Sequence, residues 1–247
     1  MRTITRRCSS MSKLRAVSFD VKDTILQLAD SPSITYANFA AKRGVQLDQK
    51  RLFPAFLKHY DRLSVEMSCF GHNSCGPRSW WIQLVSHSIA DSMEGTSNSG
   101  ICEEIGSDLY DFYNTKEAWQ LIEPNIGEIL QKLSKSGLRL GVISNFDGRL
   151  HSLLRQFDLS KHFDSIVLSG EFGREKPAPE LFKSTAEQCG LKDTCELLHI
   201  GNDLDKDYKG AISAGAQALL FDPQNKHPNI PDQEKLVKIC DLERILL

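Results

Sequence analysis

Apolar positions along this chain follow three regimes. Arg15–Phe19 runs apolar and β-branched, stops at Asp20, breaks into the polar stretch that ends at Thr24, and turns apolar again over Ile25–Leu28. A buried strand ending on a carboxylate presents it at the carboxyl edge of a sheet, where open α/β sheets bind ligands. From Ala29 to about Trp119 the spacing becomes helical, over Ile34–Arg43, Leu52–Met67, Ser79–Met93 and Ile101–Tyr113, with polar, Gly-rich breaks between. From Glu123 onward short apolar runs alternate with amphipathic ones. They predict helices over Ile126–Ser136, Arg149–Phe157, Ala178–Cys189 and around Asp205–Ala214, and strands over Arg139–Ile143, Ser165–Leu168, Leu197–Ile200 and Ala218–Phe221. One more helix is expected between Pro231 and Leu247. Such βαβ units with right-handed crossovers predict an α/β protein with a doubly wound parallel sheet. Residues 15–28 and 120–247 form that core, and residues 29–119 form an inserted all-helical unit. Within the insert, Trp80 and Trp81 with Phe53, Phe56 and Tyr60 read as core, or as an apolar wall over a substrate pocket.

Composition narrows the classes. Forty percent of the residues are hydrophobic, 25% are charged and the net charge is −2, with no basic face of the kind a nucleic-acid groove needs. No apolar run approaches the ~20 residues of a bilayer span. Seven cysteines, at 8, 69, 75, 102, 189, 195 and 240, make no CxxC pair and no zinc spacing. They read as reduced thiols of an intracellular protein. Residues 1–14 carry Arg2, Arg6, Arg7 and Lys13 and no acid, which suits either a mitochondrial presequence or a basic tail. The compartment is therefore read as cytoplasmic or mitochondrial.

Four polar clusters lie where apolar runs end. Asp20 is the candidate nucleophile, although a strand-end Asp also caps turns. Ser144 and Asn145 follow Arg139–Ile143 and can donate to a phosphate or carboxylate oxygen; both also suit a helix N-cap. Lys176 stands in a Gly-rich loop just before Pro177 and Pro179, where its charge can hold a carboxylate and screen an incoming anion, or where it is simply solvated. Gly201, Asn202, Asp203, Asp205 and Asp207 follow Leu197–Ile200. Such acids complement a helix dipole, and equally supply the one or two carboxylates of a Mg²⁺ site.

In this order and at these strand ends, the clusters resemble the signature of the haloacid dehalogenase superfamily of aspartyl-nucleophile hydrolases. The resemblance runs from Arg15 to Phe221 and implies a Rossmann-like core with the insert as its helical cap. It implies that Asp20 attacks phosphorus to form an acyl-phosphate and also ligates Mg²⁺, that Ser144 binds phosphoryl oxygen, and that Lys176 steadies Asp20 and the transferring group. The main-chain carbonyl of Lys22, with Asn202, Asp203 and Asp207, is then expected to complete the metal site. The partner implied is a small anionic or phosphorylated metabolite.

Two positions depart from that pattern. The family's phosphatases carry a second Asp two residues after the nucleophile, to protonate the leaving alkoxide; here Lys22 stands there. A lysine is a poor general acid at neutral pH, and loss of such a group costs about 10²–10⁴-fold. Asn202 stands where the family has Asp, which removes a charge from the metal site. Lys22 in turn can hold an anionic ligand. Three readings follow: a slow or narrow Mg²⁺-dependent phosphatase, a weakly catalytic binding or regulatory protein on a phosphatase fold, and a metal-independent hydrolase attacking carbon, as in the dehalogenases.

Overall fold

The computed structural model describes residues 14–95 and 98–247. The expectation of a presequence or basic tail concerns residues that, apart from Leu14, lie outside this range. The described residues form eight strands: β1 (Ala16–Phe19), β2 (Leu26–Leu28), β3 (Trp119–Leu121), β4 (Arg139–Ser144), β5 (Ser165–Leu168), β6 (Leu197–Gly201), β7 (Gln217–Phe221) and β8 (Lys235–Leu236). Six of them form one sheet in the order β5-β4-β1-β6-β7-β8, and every pairing in it is parallel. The α/β, Rossmann-like architecture is thus as the alternating pattern predicts. β1 and β6 are buried along their whole length, which is why they read as continuous apolar runs rather than alternating ones.

The chain leaves β1 toward β4 and β5 and then returns across β1 to lay down β6, β7 and β8. The order reverses beside β1, so the carboxyl ends of β4, β1 and β6 flank a topological switch point. Phe19 pairs with Val142 on one side and with Ile200 on the other, so the residues after each strand emerge together.

Three short strands carry no hydrophobic period of their own. β2 and β3 form a two-stranded ribbon at the two ends of the insert, and β8 adds to the sheet edge. Strands of two or three residues are too short to show a period. The helix expected around Asp205–Ala214 is instead a π-helical turn, Leu204–Lys209, followed by a short α-helix, Gly210–Ser213. The π turn is visible in the Tyr208 amide donating to the Asp203 carbonyl five residues back.

Contacts divide the chain into two compact units: residues up to Gln27 with Leu121–Asn145 and Phe157–Leu247, and Leu28–Gln120 with Phe146–Gln156. The second unit contains the helices Pro32–Ala41, Gln49–Glu66, Gly76–Ser92 and Ser99–Phe112, near the expected positions. Trp80 is fully buried against Leu63, Phe70 and Leu84, but Phe53, also read as core, is 60% exposed. Helical geometry explains this: Leu52 points inward, and Phe53 is rotated by about 100° from it. The segment Phe146–Gln156, which the strand-helix alternation assigns to the sheet, groups with the insert. There Arg149 makes a two-pronged ion pair with buried Asp147 at 2.9 and 2.7 Å. The Trp81 indole N–H donates to the same carboxylate at 2.7 Å, and the guanidinium lies 4.2 Å from the Tyr110 ring centroid. Among the described residues no helix is long and apolar enough to cross a membrane.

Candidate active site

Asp20 begins where β1 ends, its amide donating to the Ile200 carbonyl of β6 at 2.8 Å. Its carboxylate is mostly buried, and Oδ1 accepts from the Lys176 ammonium at 2.7 Å. Lys176, 156 residues away in sequence, is 2% exposed. Its three N–H donors are all taken: by Asp20 Oδ1, by the Ile143 carbonyl at the end of β4 (2.7 Å), and by Asp207 Oδ1 (2.6 Å). A buried ammonium needs such a set, because any donor left unpaired there costs about 1–3 kcal/mol or more.

Asp207 reaches the ammonium because of the π turn. Its Oδ2 accepts from the Asp203 amide at 2.9 Å, and its Oδ1 also receives the His199 ring Nε2 at 3.2 Å. Gly201 makes room: a Cβ there would overlap the Asp207 carboxylate. The other ring nitrogen of His199 meets the Ser18 hydroxyl at 2.9 Å, across the β1–β6 register that sets these two residues side by side.

The two carboxylates sharing one ammonium differ. Burial raises the Asp207 carboxyl, yet the charge of Lys176 and the hydrogen bond from His199 outweigh it and hold the group well below the usual carboxylate range. Asp20 lacks those extra donors, so burial, aided by the Asp207 charge, outweighs Lys176 and moves it upward. Burial lowers Lys176, but the two carboxylates more than restore it, so it stays charged. Burial, with the Lys176 charge adding to it, keeps His199 below its ordinary value.

Among the residues singled out from sequence, Asp20 and Lys176 are in contact, and the buried residue Ser144 ends β4 beside them. The Asn145 side chain holds the Lys176 main chain: its Oδ1 accepts from the Lys176 amide (2.8 Å) and its Nδ2 donates to the Lys176 carbonyl (3.1 Å). Lys22 has a half-exposed side chain paired with Asp23, which sits at a φ of 61°. Asp203 Oδ1 caps the π turn through the amides of Asp205 and Lys206, both at 2.9 Å. His199 and Ser18 are not among the residues the sequence clusters point to. The available signal was a polar residue at matching register in each of two otherwise apolar, buried strands.

The donor chemistry bears on magnesium. Asp207 has protein donors on both oxygens, whereas Asp203 gives only Oδ1 to the π turn and keeps Oδ2 without a donor among the described residues. No group of three or more His, Cys, Asp or Glu is arranged to hold a metal among the described residues. Also open are Asp20 Oδ2, with no donor on it among the described residues, the main-chain carbonyl of Lys22, and Asn202 Oδ1, which accepts from the Thr24 hydroxyl at 3.3 Å. The Asp20 carboxylate with the neutral oxygens of Lys22 and Asn202 fits a Mg²⁺ ion that keeps several waters and is weakly held, with or without Asp203.

A six-stranded parallel sheet carries an aspartate, a lysine and a buried acidic partner at its switch point, which places the chain among the α/β proteins of Rossmann-like fold. A family model of haloacid dehalogenase-like hydrolases matches residues 14–215, and the chain belongs to that family. It is similar to haloacid dehalogenase-like hydrolase domain-containing protein 3 of Bos taurus, 30% identical over 222 residues that cover 89% of this chain and 87% of the relative. Two solved structures share the fold. The HAD-hydrolase YfnB from Bacillus subtilis, bound to magnesium, matches with a TM-score of 0.70 at 20% identity, covering 95% of this chain and 99% of its own. A HAD phosphatase from Thermococcus onnurineus matches at 0.66 and 22% identity, covering 94% and 98%.

Proposed function

We propose that this chain is a slow or narrow Mg²⁺-dependent phosphatase of a small phosphorylated metabolite, with Asp20 as nucleophile. The observation that carries the reading is the pairing of an open carboxylate oxygen, Asp20 Oδ2, with a fully hydrogen-bonded ammonium on Oδ1. Asp20 attacks phosphorus, the bond to the leaving oxygen breaks with its electron pair, and water then cleaves the acyl-phosphate to inorganic phosphate and the free carboxylate. Lys176 orients the attacking carboxylate and offsets charge on the transferring group. The Ser144 hydroxyl donates to a phosphoryl oxygen. Asp20, Asn202 and the carbonyl of Lys22 would hold magnesium, which when bound neutralises phosphoryl charge. Phosphatase and magnesium-bound structures of the same fold support this reading.

Lys22 in place of an acid favours slow turnover, and tight anion binding without turnover is the competing reading. The deciding experiment measures phosphate release from a panel of phosphomonoesters. Release that needs Mg²⁺ and is abolished in Asp20→Asn supports the proposal. Release that persists in Asp20→Asn, or binding of inorganic phosphate with no release from any ester, overturns it.

A further inference from the structure

His199 lies behind the reacting groups, with its side chain fully enclosed, so it cannot touch a substrate. Its ring is bounded by Phe182, edge to face with centroids 5.2 Å apart, by the Ser18 hydroxyl at Nδ1 and by Asp207 at Nε2. An ionised carboxylate only accepts hydrogen bonds, so the proton must sit on Nε2, because a lone pair there would face Asp207 Oδ1. Nδ1 is then the acceptor and the Ser18 hydroxyl the donor. The chain Ser18, His199, Asp207, Lys176, Asp20 is thus a directed series in which each group has its donors and acceptors matched.

We propose that His199 is a positioning residue: held as the neutral Nε2–H tautomer between Ser18 and Asp207, it fixes Asp207 so that the Lys176 ammonium is shared with Asp20. The inference rests on the reading of Asp20 and Lys176 as the reacting pair. Without the His199 donor, Asp207 Oδ1 has only the ammonium to satisfy it and draws Lys176 away from Asp20. The consequence falls on the chemical step rather than on substrate binding.

The test has two arms, both on the full chain. In protein labelled with ¹⁵N at histidine, NMR from about pH 6 to 8 should show His199 with Nε2 protonated and Nδ1 bare. A proton on Nδ1, or on both nitrogens, overturns the inference. In the second arm, p-nitrophenyl phosphate turnover with Mg²⁺ is compared in His199→Phe, which fills the space without a donor, and His199→Gln, whose amide nitrogen donates near the position of Nε2. The expected result is a fall in kcat of about tenfold or more for Phe with KM within about twofold, and partial recovery for Gln. An unchanged kcat in Phe, or equal losses in both variants, overturns it. Should the Phe variant not fold, the Gln variant must keep a kcat within a few-fold of the parent, and a Gln variant as inactive as Asp20→Asn overturns it. If the parent shows no turnover dependent on Asp20, the phosphatase reading fails, and the tautomer alone decides for or against the His199 assignment.

Discussion

Asn145 and Lys176 close a ring of two hydrogen bonds, side-chain amide to main chain, at 2.8 and 3.1 Å. The ring ties the loop that bears the lysine to the end of β4, one residue beyond Ser144. The Lys176 side chain ties to the same strand through the Ile143 carbonyl. The ammonium is therefore located from both its backbone and its tip relative to the neighbour of β1, and Asp20 is presented with a donor that has little freedom to move.

Removing the ring tests this. Asn145→Ala loses two hydrogen bonds in a partly buried place and should destabilise the protein by about 1–3 kcal/mol. Because the residue orients Lys176 rather than the substrate, kcat should fall with little change in KM. Urea unfolding and steady-state kinetics check both parts. A large rise in KM with unchanged kcat would return Asn145 to the role of substrate ligand.

Gly201→Ala makes a second case. The new methyl would occupy the space of the Asp207 side chain, and neither the strand nor the π turn has slack to accept it. The variant should lose about 1–3 kcal/mol of stability through overpacking and most of its phosphatase activity through displacement of Asp207. Thermal unfolding and phosphate release measure the two effects. An active variant of ordinary stability would show that Asp207 is not needed where it stands.

The parts of this site that were legible in the sequence are those carried by strand endings. Asp20, Ser144 and Asn202 each follow an apolar run, and a parallel sheet must bring such endings to one edge. What lies beneath that edge was not legible. His199 and Ser18 pair through register, which depends on which strands are neighbours, and Asp207 turns inward through a π turn that no spacing rule distinguishes from an α-helix. The acids of the fourth cluster looked equivalent as letters. In three dimensions one caps, one binds the lysine, and Asp205 pairs with Lys209 on the surface. The grouping of Phe146–Gln156 with the insert rests on an ion pair that spans only two residues and an indole 66 residues away, a relation hydrophobic periodicity does not report.

Lys22→Asp restores the carboxylate that the family's phosphatases carry at this position. If the rest of the site is assembled, phosphatase turnover should rise by about 10²-fold or more, as an acid becomes available for the leaving oxygen. The added charge should also lower the Mg²⁺ concentration needed for half-maximal rate. Rates against a Mg²⁺ titration read out both. No gain in either would favour the binding reading over the phosphatase.

Stability should depend on pH through His199. Its value in the folded protein is lowered, chiefly by burial and then by the Lys176 charge, against the pull of Asp207 and Asp20. Below the ordinary histidine value of about 6.5 the unfolded chain therefore binds a proton that the folded one refuses, and stability falls as pH falls. Above that value the contribution is complete and flat. The stability difference between the parent and His199→Gln should accordingly shrink from about pH 7.5 to pH 5.5 in urea titrations. A difference independent of pH would mean that the ring titrates alike in both states.

The ion pair of the insert should stabilise it through charge. Asp147 and Arg149 are both buried, and the Trp81 indole completes the carboxylate's donors. Arg149→Met leaves a buried carboxylate without its counter-charge and should cost about 3–5 kcal/mol. It also removes the cation from the Tyr110 face. The double change Asp147→Leu with Arg149→Met removes both charges together, so it should recover part of that loss, the remainder coming from the Trp81 indole and Arg149 main-chain N–H groups that lose their acceptor. A double-mutant cycle by urea unfolding measures the coupling directly. Losses that simply add would show that the two residues stabilise the insert separately, through packing rather than through their charge pair.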